Sequence, residues 1–205
     1  MGLISNGTTI FDAGALDSGL AKGAMTFIKK LTASSSGTLS FVNGASGVVL
    51  DGTYKEYLFT FNNIHPSAES RFSFQGSING GSGYGVTATT TFFQAYHRED
   101  TGDSTLTYNA NEDIEQATGI IHFGEQTDPS SGDHSNSGYL QLFNPSSTTF
   151  VKSFIATNSH NYVVNYLNSP SISGYFNTTS AVNAIQFKFE SGNIDAGDIC
   201  LYGIS

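Results

Sequence analysis

Apolar and polar residues alternate along much of this chain, and almost no competing helical pattern interrupts them. Successive side chains of a β-strand point to opposite faces, so a repeat of two gives a strand one apolar face. The clearest repeats are SFV at 40–42, YLFTF at 57–61, RFSFQ at 71–75, YLQLF at 139–143 and IQFKF at 185–189. The pattern predicts an all-β protein.

Stretches rich in Gly, Ser, Asn and Thr separate the apolar segments and set the boundaries of the predicted strands. We expect strands at 25–32, 38–43, 55–64, 71–78, 86–97, 139–143, 149–157, 172–177, 182–190 and 198–204, with a weaker one at 120–123. About ten strands favour an antiparallel two-sheet β-sandwich with jelly-roll-like connectivity over a small barrel. His65-Pro66 is expected to end the third strand.

Two connecting segments carry further expectations. Asn79-Gly80-Gly81 is a turn signal, so strands 71–78 and 86–97 are predicted to pair as a hairpin. Residues 98–137 have the weakest pattern and many acidic side chains. A long segment of this kind is either mobile or functional.

The first 25 residues differ from the rest in having scattered apolar side chains, several glycines and no repeat of two. A short helical turn at 13–21 is disfavoured because glycine is a poor helix former. We therefore divide the chain into an extended N-terminal docking arm at 1–25 and a β-sandwich domain at 26–205.

Composition narrows the range of partners. Charged residues make up 12% of the chain, and 8 Lys and Arg stand against 17 Asp and Glu, for a net charge of −9. Binding a phosphate backbone requires clustered Lys and Arg, so we expect no nucleic-acid partner. No apolar run approaches the ~18 residues needed to span a membrane, and no export signal is visible, so no membrane partner is expected either.

No residue stands out as catalytic, cofactor-binding or metal-binding. Residues 112–115 (EDIE) offer carboxylates, but they lack the Gly and the terminal bidentate Glu of a calcium loop and are expected to be solvated. The five histidines occur singly, which disfavours zinc. The loop GSGYG at 81–85 lies between two strands, so it is a turn and not a phosphate loop. Cys200 is the single cysteine, and we expect it to fill space in a strand as a small apolar residue.

Tyr96, Tyr108, Tyr162 and Tyr166 fall in or next to predicted loops. Aromatic rings beside Asn and Asp side chains stack on sugar rings and hydrogen-bond to them. Tyrosines at strand ends also commonly cover the edge of a core. The sequence leaves both interpretations open.

Several short strings resemble a group of small structural proteins in the virions of tailed phages of marine bacteria. The strings are NGTTI at 6–10, YKEY at 54–57, NIHP at 63–66, TFFQAYH at 91–97, LFNPSSTTFVK at 142–152, GYFNTTSA at 174–181, IQFK at 185–188 and LYGI at 201–204. The resemblance supplies no catalytic motif. It implies a structural role in the phage particle.

From this resemblance and the composition we expect a non-enzymatic exterior protein of fibre or appendage type, without cofactors, in a virion assembled in the bacterial cytoplasm. Its expected partners are other copies of itself in a homotrimer, other virion proteins through the arm, and glycans on the host surface, contacted by residues 98–137, which are expected to face outward. One alternative is a capsid decoration protein with no ligand. A second is a carbohydrate-active enzyme of the β-sandwich kind.

Overall fold

The computed structural model describes residues 2–12, 15–16, 23–100, 102–162 and 166–205. These residues form β-strands joined by turns and loops, and none of them lies in a helix long and apolar enough to span a membrane. The strands are β1 (Leu3–Ser5), β2 (Thr8–Asp12), β3 (Ala15–Leu16), β4 (Met25–Thr32), β5 (Leu39–Val42), β6 (Glu56–Pro66), β7 (Phe72–Ser77), β8 (Ala88–Arg98), β9 (Ser104–Tyr108), β10 (Ile121–His122), β11 (Asn136–Phe143), β12 (Lys152–Tyr162), β13 (Tyr166–Phe176), β14 (Ala184–Phe189) and β15 (Ile194–Ile204).

Two antiparallel sheets make up the sandwich. The larger has eight strands in the order β4-β15-β6-β11-β12-β13-β8-β9, and the smaller has four in the order β10-β7-β14-β5. Phe59 of β6 contacts Phe41 of β5 and Phe187 of β14, with ring centroids 5.3 and 5.4 Å apart, so the sheets pack face to face. The predicted all-β two-sheet architecture is confirmed, while jelly-roll connectivity stays a prediction.

Phenylalanine dominates the core between the sheets. The alternation read from the sequence turns one face of each strand inward, and aromatic rings suit this pleated surface. Phe72, Phe74 and Phe187 surround Phe123, whose ring stacks on that of Phe72 at 5.0 Å. Phe123 belongs to the weakly patterned segment 98–137, so this segment supplies part of the core.

The predicted hairpin of strands 71–78 and 86–97 is wrong. β7 pairs with β10 and β14 in the smaller sheet, whereas β8 pairs with β9 and β13 in the larger one. The Asn-Gly-Gly link therefore carries the chain from one sheet to the other. The third predicted strand also ends later than expected, at Pro66, which pairs with Ile194.

The N-terminal strands β1, β2 and β3 form a small antiparallel sheet of their own. Leu3, Ile4 and Phe11 expose their apolar side chains. Of the segment 13–21, only 15–16 is described, and it pairs as a strand; the rest of that segment lies outside the described residues. The docking role of the arm stays a prediction.

Candidate functional site

The inner face of β8, β12 and β13 changes character along the strands. Apolar residues give way to buried amides and then to tyrosines, in the order Phe92, Gln94 and Tyr96 on β8, Ala156, Asn158 and Tyr162 on β12, and Ile172, Asn168 and Tyr166 on β13. The antiparallel register aligns the three strands, since Ile172 lies opposite Phe92 and Asn168 opposite Tyr96. Polar and aromatic groups are thus gathered at one end of the inner face.

A pocket of about 250 Å³ lies at this end. Its described lining consists of Gln94, Tyr96, Glu125, Tyr162, Tyr166 and Asn168. Ligand sites of drug size usually measure about 300–1,000 Å³. The volume therefore suits a small group such as one sugar ring.

Two of the tyrosine rings stand at right angles. The ring centroids of Tyr96 and Tyr166 are 5.0 Å apart with an interplanar angle of 87°. The Arg98 guanidinium lies 5.4 Å from the centre of the Tyr166 ring, and the Tyr166 hydroxyl donates to Asp103 Oδ2 at 3.0 Å. That hydrogen bond raises the pKa of Tyr166. These contacts fix the position of the Tyr166 ring.

Hydrogen bonds connect the polar groups of the lining. Asn168 Nδ2 donates to Gln94 Oε1 at 2.8 Å, and Gln94 Nε2 donates to Glu125 Oε1 at 3.3 Å. Asn109 Nδ2 donates to the same carboxylate oxygen at 2.8 Å. Burial raises the pKa of Glu125, and the negative charge of Glu112 adds to the rise.

A closed ring of arginine, glutamate and histidine side chains lies behind Glu125. Arg71 bonds Glu112 at 3.1 Å and Glu190 at 3.3 Å, and the two nitrogens of His122 lie 2.6 Å from Glu112 and 3.1 Å from Glu190. Arg71 also approaches Glu125 to 3.9 Å. The ring therefore supports the wall of the pocket that carries Glu125.

His160 lies opposite Asn168 on the neighbouring strand and is 2% exposed. Burial lowers its pKa to about 4, so the imidazole is neutral. A Cβ at position 124 would overlap the His160 ring, and for this reason only glycine fits before Glu125. The backbone that presents Glu125 thus depends on packing against His160.

Three of the four tyrosines singled out from the sequence meet in this pocket. Tyr96, Tyr162 and Tyr166 line it, whereas Tyr108 lies outside and donates its hydroxyl to Asp113. Sequence reasoning missed Gln94, Glu125 and Asn168. A signal existed for Gln94, which occupies an inward position two residues after Phe92, where the alternation calls for an apolar side chain.

The expectation that 112–115 is a solvated acidic patch is wrong for Glu112. Its side chain is 3% exposed and is held by Arg71 and His122. Within the described ranges, no group of three or more His, Cys, Asp or Glu side chains is arranged to hold a metal ion. Cys200 lies in β15 as expected, but it is only partly buried.

Comparisons of the chain with protein-family models, with curated proteins and with solved structures find no match. The function is therefore argued from the pocket and its chemistry. Glycosidic cleavage uses two carboxylic groups that flank the bond. The described lining contributes one carboxylate, that of Glu125.

Proposed function

We propose that this chain is a non-enzymatic exterior protein of a bacteriophage particle, of fibre or appendage type, that contacts glycans on the host surface. The observation that carries the glycan contact is the pocket in which Tyr96, Tyr162 and Tyr166 meet the amides of Gln94 and Asn168. The resemblance to phage structural proteins supports the location in the virion.

The chemistry of the pocket matches that of a sugar. A pyranose ring has an apolar C–H face and a rim of hydroxyl groups. Tyrosine rings offer flat apolar surfaces for the C–H face, while fixed amide and carboxylate groups bond the hydroxyls. In this pocket the rings of Tyr96 and Tyr166 are already held in place before any ligand arrives. Such preorganisation lowers the entropic cost of binding.

A glycan array probed with the labelled, assembled protein tests this proposal. Replacement of a pocket ring, Tyr96→Ala or Tyr162→Ala, is expected to weaken binding by at least about tenfold, as loss of a central aromatic contact does. Tyr202→Ala removes a ring of the same type outside the pocket, on β15, and is expected to leave binding unchanged. Failure of the wild-type oligomer to bind any glycan, or equal losses in all three variants, would contradict the proposal.

The partner proteins are part of the same proposal. Copies of the chain associate in a homotrimer, and the N-terminal arm attaches it to other virion proteins. Exposure of Leu3, Ile4 and Phe11 supports the second role, because contiguous exposed apolar side chains mark interaction sites. A cryo-EM map of the particle tests both, and density for a monomer with a free arm would contradict them.

A capsid decoration protein without a ligand is the second candidate. It is favoured by one observation, the broad uncharged outer face of β11, β12, β13, β8 and β9, which suits close packing against neighbours. The two candidates differ in copy number. Many copies on the capsid lattice favour decoration, and a few copies on the tail favour receptor contact.

A further inference from the structure

The polar groups of the pocket donate their hydrogen bonds in one fixed direction. Glu125 Oε1 accepts hydrogen bonds from both Gln94 Nε2 and Asn109 Nδ2, so Gln94 turns its amide nitrogen toward Glu125. Gln94 Oε1 then faces Asn168 and accepts a hydrogen bond from Asn168 Nδ2 at 2.8 Å. The relay therefore runs from Asn168 through Gln94 to Glu125.

This direction leaves an acceptor at the start of the relay. The Asn168 side chain is buried, with the residue 2% exposed, and its Oδ1 has no hydrogen-bond partner among the residues that the structure describes. A buried acceptor without a donor is unfavourable, and each such group calls for a partner. Asn168 and Glu125 both line the pocket, so a ligand there meets the unpaired Asn168 oxygen and the Glu125 carboxylate as acceptors, beside the hydroxyls of Tyr96 and Tyr162, which either donate or accept.

The cations nearby are already occupied. Arg98 pairs with Asp100 at 2.6 Å while it covers the Tyr166 ring. Arg71 bonds the carboxylates of Glu112 and Glu190. A carboxylate entering the pocket would therefore meet the carboxylate of Glu125, and no cation near the pocket among the described residues is left unpaired to offset it.

We propose that the pocket binds uncharged sugars, whose hydroxyl groups donate to Asn168 Oδ1 and the Glu125 carboxylate, and that it discriminates against acidic sugars. This inference rests on the proposed function and names the class of glycan that the site takes. Hydroxyl groups match acceptors, whereas like charges brought together during binding are strongly disfavoured.

Calorimetric titration with matched oligosaccharides tests the inference. Oligosaccharides of α-1,4-linked galactose and of α-1,4-linked galacturonic acid, when of equal length, differ only in the oxidation of C6 to a carboxylate. The same pairing is available for gluco- and glucurono-oligosaccharides. Where at least one sugar of a matched pair binds, we expect the uncharged sugar to bind at least about tenfold more tightly than the acidic one. A buried charge-assisted hydrogen bond changes affinity by about this factor.

The outcomes separate this inference from the proposed function. Equal or tighter binding of the uronic member overturns the inference and leaves glycan binding in place. Binding of no sugar, in these pairs and on a glycan array, overturns both. Preference for the uncharged member at the pocket supports both.

A variant at Glu125 tests the role of the relay. Glu125→Gln keeps the size of the side chain but removes its charge and adds donors. It is expected to narrow the discrimination between the paired sugars to less than about threefold. Glu115→Gln makes the same chemical change at an exposed carboxylate outside the pocket lining and is expected to keep the wild-type ratio. An unchanged ratio in a folded Glu125→Gln variant would overturn the role given to Glu125.

Discussion

Burial keeps the His160 imidazole neutral, and this makes the stability of the protein depend on pH. The pKa of His160 is about 4 in the folded chain, against 6.5 for the free side chain. Below pH 6.5 the His160 side chain binds a proton in the unfolded chain, whereas in the folded chain it stays unprotonated down to about pH 4. Stability contributed by this group is therefore complete above pH 6.5 and is lost as the pH falls toward 4, by about 3 kcal/mol.

Replacement of His160 tests this account. His160→Gln removes the titrating group, so the free energy of unfolding is expected to fall less steeply between pH 6.5 and 4, whatever its value at pH 7. Urea denaturation at several pH values measures the slope. His97→Gln removes an exposed histidine and is expected to retain the steep fall. Identical slopes in wild type and His160→Gln would show that His160 does not cause the acid sensitivity.

The connection between β7 and β8 differs most from the structure that the sequence predicted. Asn79 organises it, since its Oδ1 accepts hydrogen bonds from Ser77 Oγ at 2.7 Å and from the Gly83 backbone at 3.0 Å. Asn183, just before β14, accepts from the Gly80 backbone at 2.8 Å. These bonds fold the loop onto itself and direct the chain across to the larger sheet.

Gly80 and Gly81 offer a matched test of this loop. Both have positive φ, 69° and 78°, so alanine at either site costs about 1–2 kcal/mol. A Cβ at Gly80 meets nothing within 4 Å, but one at Gly81 lies 2.9 Å from the Tyr84 hydroxyl and 3.1 Å from Val42. Urea denaturation is expected to show Gly81→Ala as the more destabilising by about 1 kcal/mol. Equal costs would mean that the loop moves freely away from Tyr84.

Strands could be predicted wherever a half-buried face imposed alternation, as the agreement of 38–43 with β5 illustrates. The prediction stopped short in β12 and β13, at 157 and 172, because the inward positions beyond are polar: Asn158, His160 and Asn168. These polar residues near the pocket interrupt the apolar-polar alternation, and the full length of the two strands was therefore not predicted. Strand partners were not predictable, since alternation specifies a face but not a neighbour.

At the scale of the whole molecule, charge is distributed unevenly. The chain carries a net charge of −9, yet the outward positions of β11, β12, β13, β8 and β9 contain no Lys, Arg, Asp or Glu among the described residues. Serine and threonine fill many of these positions. Exposed apolar side chains lie among them: Phe93, Leu106, Tyr108, Tyr139, Ile155 and Leu167.

The size of this outer face is close to that of one side of a standard interface. At about 3.3 Å per residue and about 4.8 Å between strands, the five strands offer roughly 700 Å². A standard interface buries about 800 Å² on each partner. Because like-charged chains repel each other, a face whose described outward residues include no Lys, Arg, Asp or Glu favours the approach of copies of this acidic chain.

A buried charge on the outer face is therefore expected to dissociate the proposed homotrimer. Ile155→Lys places an ammonium group at the centre of the face while reducing the net negative charge, so dissociation would reflect desolvation of the new charge and not added repulsion. Light scattering is expected to show the mass of a trimer for wild type and of a monomer, 21.8 kDa, for the variant. Phe150→Lys, at an exposed apolar residue in the turn before β12, is expected to remain trimeric. A monomeric wild type, or a trimeric Ile155→Lys variant, would rule out this face as the contact between copies.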